Sequence, residues 1–135
     1  MHTIHLLTVS DRVSAGTAED TAGAAVRALL SEALPDWPLD HRVVPDGDVP
    51  VGEAVAAACL GGARVVLTLG GTGVGPRDRT PEAVTPLITR HLPGIPELLR
   101  SAGRQQTPAA VLSRGVAGVV TDGGREVGAI LAPIC

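Results

Sequence analysis

Apolar positions in this chain come in blocks separated by short polar, glycine-rich or proline-rich stretches. Ile4–His5–Leu6–Leu7–Thr8–Val9 is a nearly continuous apolar run, as expected of a strand buried on both faces. Ser10–Asp11 ends it, and a polar loop continues to Gly16. Asp20–Thr21–Ala22–Gly23 predicts the start of a helix through Leu34, built on Ala24, Ala25, Ala28 and Leu29. Pro35 and Pro38 close it. Leu39–Val44 reads as a second strand, stopped by Pro45–Asp46–Gly47–Asp48. An alanine-rich helix then runs from Val49 or Pro50 to about Leu60, ended by Gly61–Gly62. Ala63–Leu69 is the third strand.

Downstream, Thr80 reads as the N-cap and Pro81 as the first residue of a helix carrying Ala83, Val84, Leu87 and Ile88. Gly94–Ile95–Pro96 breaks it, and Pro96–Ala102 predicts a short helix. Ala109–Leu112, Val116–Val120 and Val127–Leu131 are weaker strand candidates, with a turn at Gly123–Gly124. Strands alternating with helices argue for an α/β fold, a three-layer αβα sandwich with a mainly parallel sheet, as a single domain over residues 1–135. In such sheets ligands bind beyond the carboxyl ends of the strands. Three loops take that position: Ser10–Gly16, Pro45–Asp48 and Gly70–Asp78.

The third loop, Gly70–Gly71–Thr72–Gly73–Val74–Gly75–Pro76–Arg77–Asp78, is the richest in chemistry. Strand, glycine loop and helix start together can turn backbone N–H groups toward an anion. The loop matches neither a Walker A nor a dinucleotide pattern, because Pro76 follows Gly75 where each would need another residue. A tight turn and a ligand loop both fit the pattern; the charges of Arg77–Asp78–Arg79 favour the ligand loop. Asp46 and Asp78 follow different strands and can meet, and two carboxylates with a phosphate suit Mg²⁺. Asp46 can equally be a cap for the helix after it. Asp20 reads first as a cap, and Ser113–Arg114–Gly115 as a turn. The four histidines lack ligand spacing and are expected at surface or edge positions, without zinc. Trp37, between prolines, reads as a packing plug.

Composition narrows the choice. The chain has 135 residues, net charge -3, one Trp and neither Tyr nor Phe. Without aromatic platforms or positive charge, nucleic-acid binding is disfavoured. The core must be aliphatic. Cys59 and Cys135 form no metal-type pair, and a disulfide scaffold is not expected. The N-terminus lacks signal-peptide features and no apolar run is long enough for a bilayer, so a cytoplasmic location without membrane partners is expected.

Several blocks occur in a recognisable order: Thr8–Val9–Ser10–Asp11–Arg12–Val13–Ser14–Ala15–Gly16, Asp20–Thr21–Ala22–Gly23, Val44–Pro45–Asp46, Leu67–Thr68–Leu69–Gly70–Gly71–Thr72–Gly73, Pro76–Arg77–Asp78–Arg79–Thr80–Pro81–Glu82–Ala83 and Leu112–Ser113–Arg114–Gly115–Val116–Ala117–Gly118–Val119. Over roughly residues 4 to 120 the chain resembles the molybdenum-cofactor biosynthesis domain of the MogA/MoaB type, nearest to molybdopterin adenylyltransferases. The resemblance implies a three-layer α/β fold, a homotrimer, a molybdenum insertase as partner, and transfer of AMP from ATP to the terminal phosphate of molybdopterin with Mg²⁺. It implies that Asp46 and Asp78 are the essential acids and hold Mg²⁺, that Gly70, Gly71, Thr72 and Gly73 bind the nucleotide phosphates, and that Ser113 holds the pterin. Ser10, Asp11 and Ser14 match the loop lining the pterin side, and Arg77 is a candidate cation for the phosphates.

The likeness ends after Val120. The family continues into a Pro-Gly-Asn-Pro-like loop and a closing helix, whereas this chain reads Asp122–Gly123–Gly124–Arg125 onward to Cys135, with Pro133 as the one remnant. The expectation is a domain without that loop and helix. A binding module of the MoaB type without turnover is the alternative function.

Overall fold

A computed structural model describes residues 2–131. Its strands are β1 (Thr3–Val9), β2 (Leu39–Val44), β3 (Ala63–Leu69), β4 (Arg90–His91), β5 (Ala117–Asp122) and β6 (Arg125–Leu131). The α-helices are α1 (Asp11–Ser14), α2 (Thr21–Ala33), α3 (Asp48–Leu60), α4 (Thr80–Val84) and α5 (Gly94–Arg104), with 3₁₀ turns at Thr85–Leu87 and Pro108–Leu112. The strands form one sheet in the order β2-β1-β3-β6-β5-β4. β1 pairs in parallel with β2 and β3, β3 in parallel with β6, and β5 runs antiparallel to both of its neighbours. The predicted α/β architecture with a mainly parallel sheet is what the chain adopts.

The order follows from connection handedness. β1 crosses through α2 to β2 on one side, and β2 returns through α3 past β1 to β3. Right-handed crossovers in opposite directions put α2 and α3 on opposite faces. Leu7 and Val9 of β1 and Val66 of β3 pack against Val51, Val55 and Ala58 of α3 and Val84 of α4 in an aliphatic core. Ile4 and Leu6, alternate residues of β1, are buried toward the α2 side. Cys59 is a core thiol whose pKa burial raises; Cys135 and Pro133 lie outside the described residues.

β4 lies within the span read as helix up to Gly94, and its antiparallel pairing with β5 makes it strand; four further elements depart from the sequence reading, each for a local reason. The Ser10–Gly16 loop contains a turn of helix, because the Ser10 hydroxyl accepts the Val13 N–H and caps it. The helix after Pro81 stops at Val84 and continues as 3₁₀, because Pro86 has no N–H to extend it. α5 begins at Gly94, since Pro93 and Pro96 fall in the cap and first turn, where no N–H is needed. Ala109–Leu112 is 3₁₀ and not strand: Pro108 starts it and the Thr107 hydroxyl accepts the Ala109 N–H.

Candidate functional site

At the carboxyl edge of the sheet the three predicted loops meet. The Ser10 N–H donates to the Val44 carbonyl at 3.0 Å, tying the end of β1 to the end of β2. Asp11 and Asp46 then bind each other reciprocally. The Asp11 N–H donates to Asp46 Oδ2 at 2.9 Å, and the Asp46 N–H donates to Asp11 Oδ1 at 3.1 Å. The alternative of Asp46 as a helix cap fails: α3 is preceded by Gly47 and has no side-chain cap, and the Asp46 carboxylate turns to the β1 loop instead.

The glycine loop is shaped by conformation and space. Gly70 and Gly71 both have positive φ, 109° and 70°. A Cβ on Gly70 would collide with the Val9 carbonyl, and one on Gly71 with the Thr80 hydroxyl. Asp46 Oδ1 lies 3.3 Å from the same Gly71 position, so the β2 acid faces the start of the β3 loop. At the far end, Asp78 Oδ2 accepts the Gly75 N–H at 2.9 Å, and side chains at Gly73 or Gly75 would crowd that oxygen. Thr80 is fully buried and is the first helical residue rather than the predicted N-cap. Its hydroxyl donates to the Gly70 carbonyl at 2.9 Å and its N–H to the Gly71 carbonyl at 3.0 Å, so it closes the base of the loop.

Charge at this edge is unbalanced. The Arg77 guanidinium donates to both Asp11 oxygens, at 3.1 and 3.0 Å, and to the Asp46 carbonyl at 3.0 Å. Arg77 thereby holds the Asp11 carboxyl below its ordinary pKa. Asp46 is pushed the other way, first by burial and then by the charges of Asp11 and Asp78. A half-buried carboxylate facing two others is a place where a cation gains energy. Among the described residues no three His, Cys, Asp or Glu side chains gather as a metal cage. A bound ion would therefore rely on Asp46, Asp78, water and a phosphate ligand, a donor set that fits Mg²⁺.

Ser113 stands beside the glycine loop. It lines a cavity of about 260 Å³ with Thr72, Gly73, Val74, Ala110 and Leu112. Its hydroxyl accepts the Gly115 N–H at 3.2 Å. Ser10 is spent on capping α1, and Ser14 is exposed at the end of that helix. The fold thus gathers Asp11, Asp46 and Arg77 in one cluster, with Asp78 near enough to act on Asp46 through its charge, and Thr72, Gly73 and Ser113 around one cavity.

Sequence reasoning missed two features. Arg114, read as part of a turn, binds Glu82 through two hydrogen bonds at 2.6 and 3.2 Å and also the Gly73 and Asp78 carbonyls. These partners are 32 to 41 residues away in sequence, so no local pattern could reveal them. Asp20 caps α2 as expected, accepting the Gly23 N–H at 2.9 Å. It also accepts the Thr8 hydroxyl at 2.6 Å and lies 3.1 Å from His41 Nε2, which puts His41 on an edge strand but largely covered, 13 % exposed.

The chain matches the family described as probable molybdopterin binding domain over residues 5–130. It is 42% identical over 109 residues to the molybdenum cofactor biosynthesis bifunctional protein of Synechococcus elongatus, covering 81% of this chain and 34% of that one. It is 39% identical over 124 residues to the molybdopterin adenylyltransferase of Helicobacter pylori strain J99, covering 88% and 70%. The chain thus spans about a third of the bifunctional relative and about two thirds of the other. A structure of the molybdopterin biosynthesis Mog protein from Mycobacterium ulcerans superposes with a TM-score of 0.87 at 32% identity, covering 99% of this chain and 84% of that one.

Proposed function

The chain belongs to the family of probable molybdopterin binding domains, and from that premise we propose that it is a molybdopterin adenylyltransferase, transferring AMP from ATP to molybdopterin. The observation that carries this reading is the Asp46 carboxylate, set against the Gly70–Gly71 turn beside Asp11 and Asp78. The adenylyltransferase identity of a relative aligned over most of both chains supports it.

In the reaction, an oxygen of the terminal phosphate of molybdopterin attacks the α-phosphorus of ATP. The bond from that phosphorus to the bridging oxygen breaks, and pyrophosphate leaves with the bond's electron pair. Such a transfer needs alignment and charge neutralisation more than covalent help. Gly70, Gly71, Thr72 and Gly73 supply backbone donors for the phosphates, and the cavity beside Ser113 takes the pterin. Ser10, Asp11 and Ser14 border that side from the β1 loop. Asp46 and Asp78 would hold Mg²⁺, whose chemistry here is to offset charge between two approaching anions. Arg77 contributes to phosphate binding when it exchanges Asp11 for a phosphate oxygen.

We read the chain as one domain acting as a homotrimer with a molybdenum insertase as a downstream partner. Exposed Leu98 on α5 and exposed Val111 and Leu112 on the 3₁₀ turn packed beside it support a self-association face. A cytoplasmic location suits an ATP-consuming reaction, and among the described residues no helix is long and apolar enough to cross a membrane.

Pyrophosphate release with ATP, Mg²⁺ and molybdopterin tests the reading. Asp46→Ala and Asp78→Ala are expected to lower the rate by about 100-fold or more with the fold intact. Ligand binding without pyrophosphate in the native chain would replace the enzyme with a binding module.

A further inference from the structure

We infer that Arg114 is a positioning residue that sets the spacing between the Gly70–Asp78 loop and Ser113. This rests on the proposed function in one respect: it takes the loop as the nucleotide side and Ser113 as the pterin side. The reach of Arg114 is unusual for one residue. Its own N–H donates to the Thr72 carbonyl at 2.8 Å. Nε donates to the Gly73 carbonyl at 2.8 Å, and Nη2 to the Asp78 carbonyl at 2.6 Å. Nη1 and Nη2 also take the two Glu82 oxygens at 2.6 and 3.2 Å. The planar group therefore joins the middle of the loop at Gly73, its end at Asp78 and the first turn of α4 at Glu82, while the main-chain N–H of the same residue holds Thr72.

The segment is held from behind as well. Arg100 of α5 donates through Nη1 to the Gly115 carbonyl at 3.1 Å and to the Ser113 carbonyl at 3.4 Å. The Arg114 side chain is 38% exposed, so its ion pair with Glu82 adds little to global stability. What it supplies is geometry. Two of its guanidinium contacts are to loop carbonyls, which an ion pair alone would not require. Lysine could keep the charge opposite Glu82 but has no planar fork to reach the carbonyls at the same time. A reacting group displaced by about 1 Å costs about 100-fold in rate.

The test compares the native chain with Arg114→Ala, Arg114→Lys and Glu82→Gln. Amide hydrogen exchange in the ligand-free protein is read first. Exchange across residues 71–79 is expected to rise about 10-fold or more in both Arg114 variants, while β1 and β3 keep their protection. In AMP transfer, kcat is expected to fall about 100-fold in Arg114→Ala, with KM for ATP changing less than about threefold. Arg114→Lys recovers only a few-fold of that loss, and Glu82→Gln, which keeps a hydrogen-bonding side chain, falls between native and Arg114→Ala. Native exchange in the loop, a native kcat in Arg114→Lys, or loss of protection throughout the sheet would each overturn the proposal. If the native chain transfers no AMP, the adenylyltransferase reading fails, and the loop exchange alone decides whether Arg114 positions the loop.

Discussion

Burial and two neighbouring carboxylates hold the Asp46 carboxyl above the ordinary aspartate range, while Arg77 holds Asp11 below it. The positive charge of Arg77 opposes the shift at Asp46. A carboxylate must be ionised to bind a cation, so activity should disappear as pH falls through the raised Asp46 value. In Arg77→Gln that opposition is gone, and the acid limb of the kcat/KM profile is expected to move to higher pH. An unmoved limb would detach Asp46 from it. Thr80 makes a different kind of contribution, because its buried hydroxyl is the donor that holds the Gly70 carbonyl. Thr80→Val keeps the shape and removes that donor. It is expected to destabilise the fold by about 1 to 2 kcal/mol in urea unfolding.

Among the elements, α2 depends on its first residues more than on its length. Of its thirteen residues only Gly23 is buried. Asp20 caps it and also ties it to β1 through Thr8 and to β2 through His41. Asp20→Ala is expected to cost about 1 to 2 kcal/mol in denaturant unfolding, with exchange rising first in Thr21–Ala33. Apart from β4, which pairing with β5 makes a strand, the cause of each departure from the sequence reading is a proline or a polar cap a few residues away. Pro86 shortens α4, and Pro108 with Thr107 turns a predicted strand into 3₁₀. Strands β1 and β3 were legible almost to the residue because their apolar runs are nearly continuous; β2, with Asp40–His41–Arg42 at its centre, was legible from Pro38 and Pro45 on either side of it.

At the level of the whole molecule, the exposed apolar surface near α5 is where self-association is expected. Leu98 is 71% exposed in the single chain. Leu98→Asp is expected to convert the proposed trimer into monomers, as read by light scattering after gel filtration. A native chain that is already monomeric would remove the trimer from the proposal.

The amino-acid sequence by itself determined the class of fold and the three loops that meet at the carboxyl edge of the sheet. Continuous apolar runs specify buried parallel strands, and the loops after such strands are where ligands are received. It also carried the motif blocks that identify the family. The tertiary structure decided how those loops contact one another. Asp46 could be cap or site residue by pattern alone, and only the approach of the β1 loop turned its carboxylate away from α3. Arg77 looked free for a phosphate until Asp11 was brought to it, 66 residues away. Arg114 had no partner within local reach, and its roles exist only because the sheet folds the 113–115 segment onto the glycine loop. Local pattern reports on propensity and burial, whereas charge pairing and loop closure depend on contacts between distant parts of the chain.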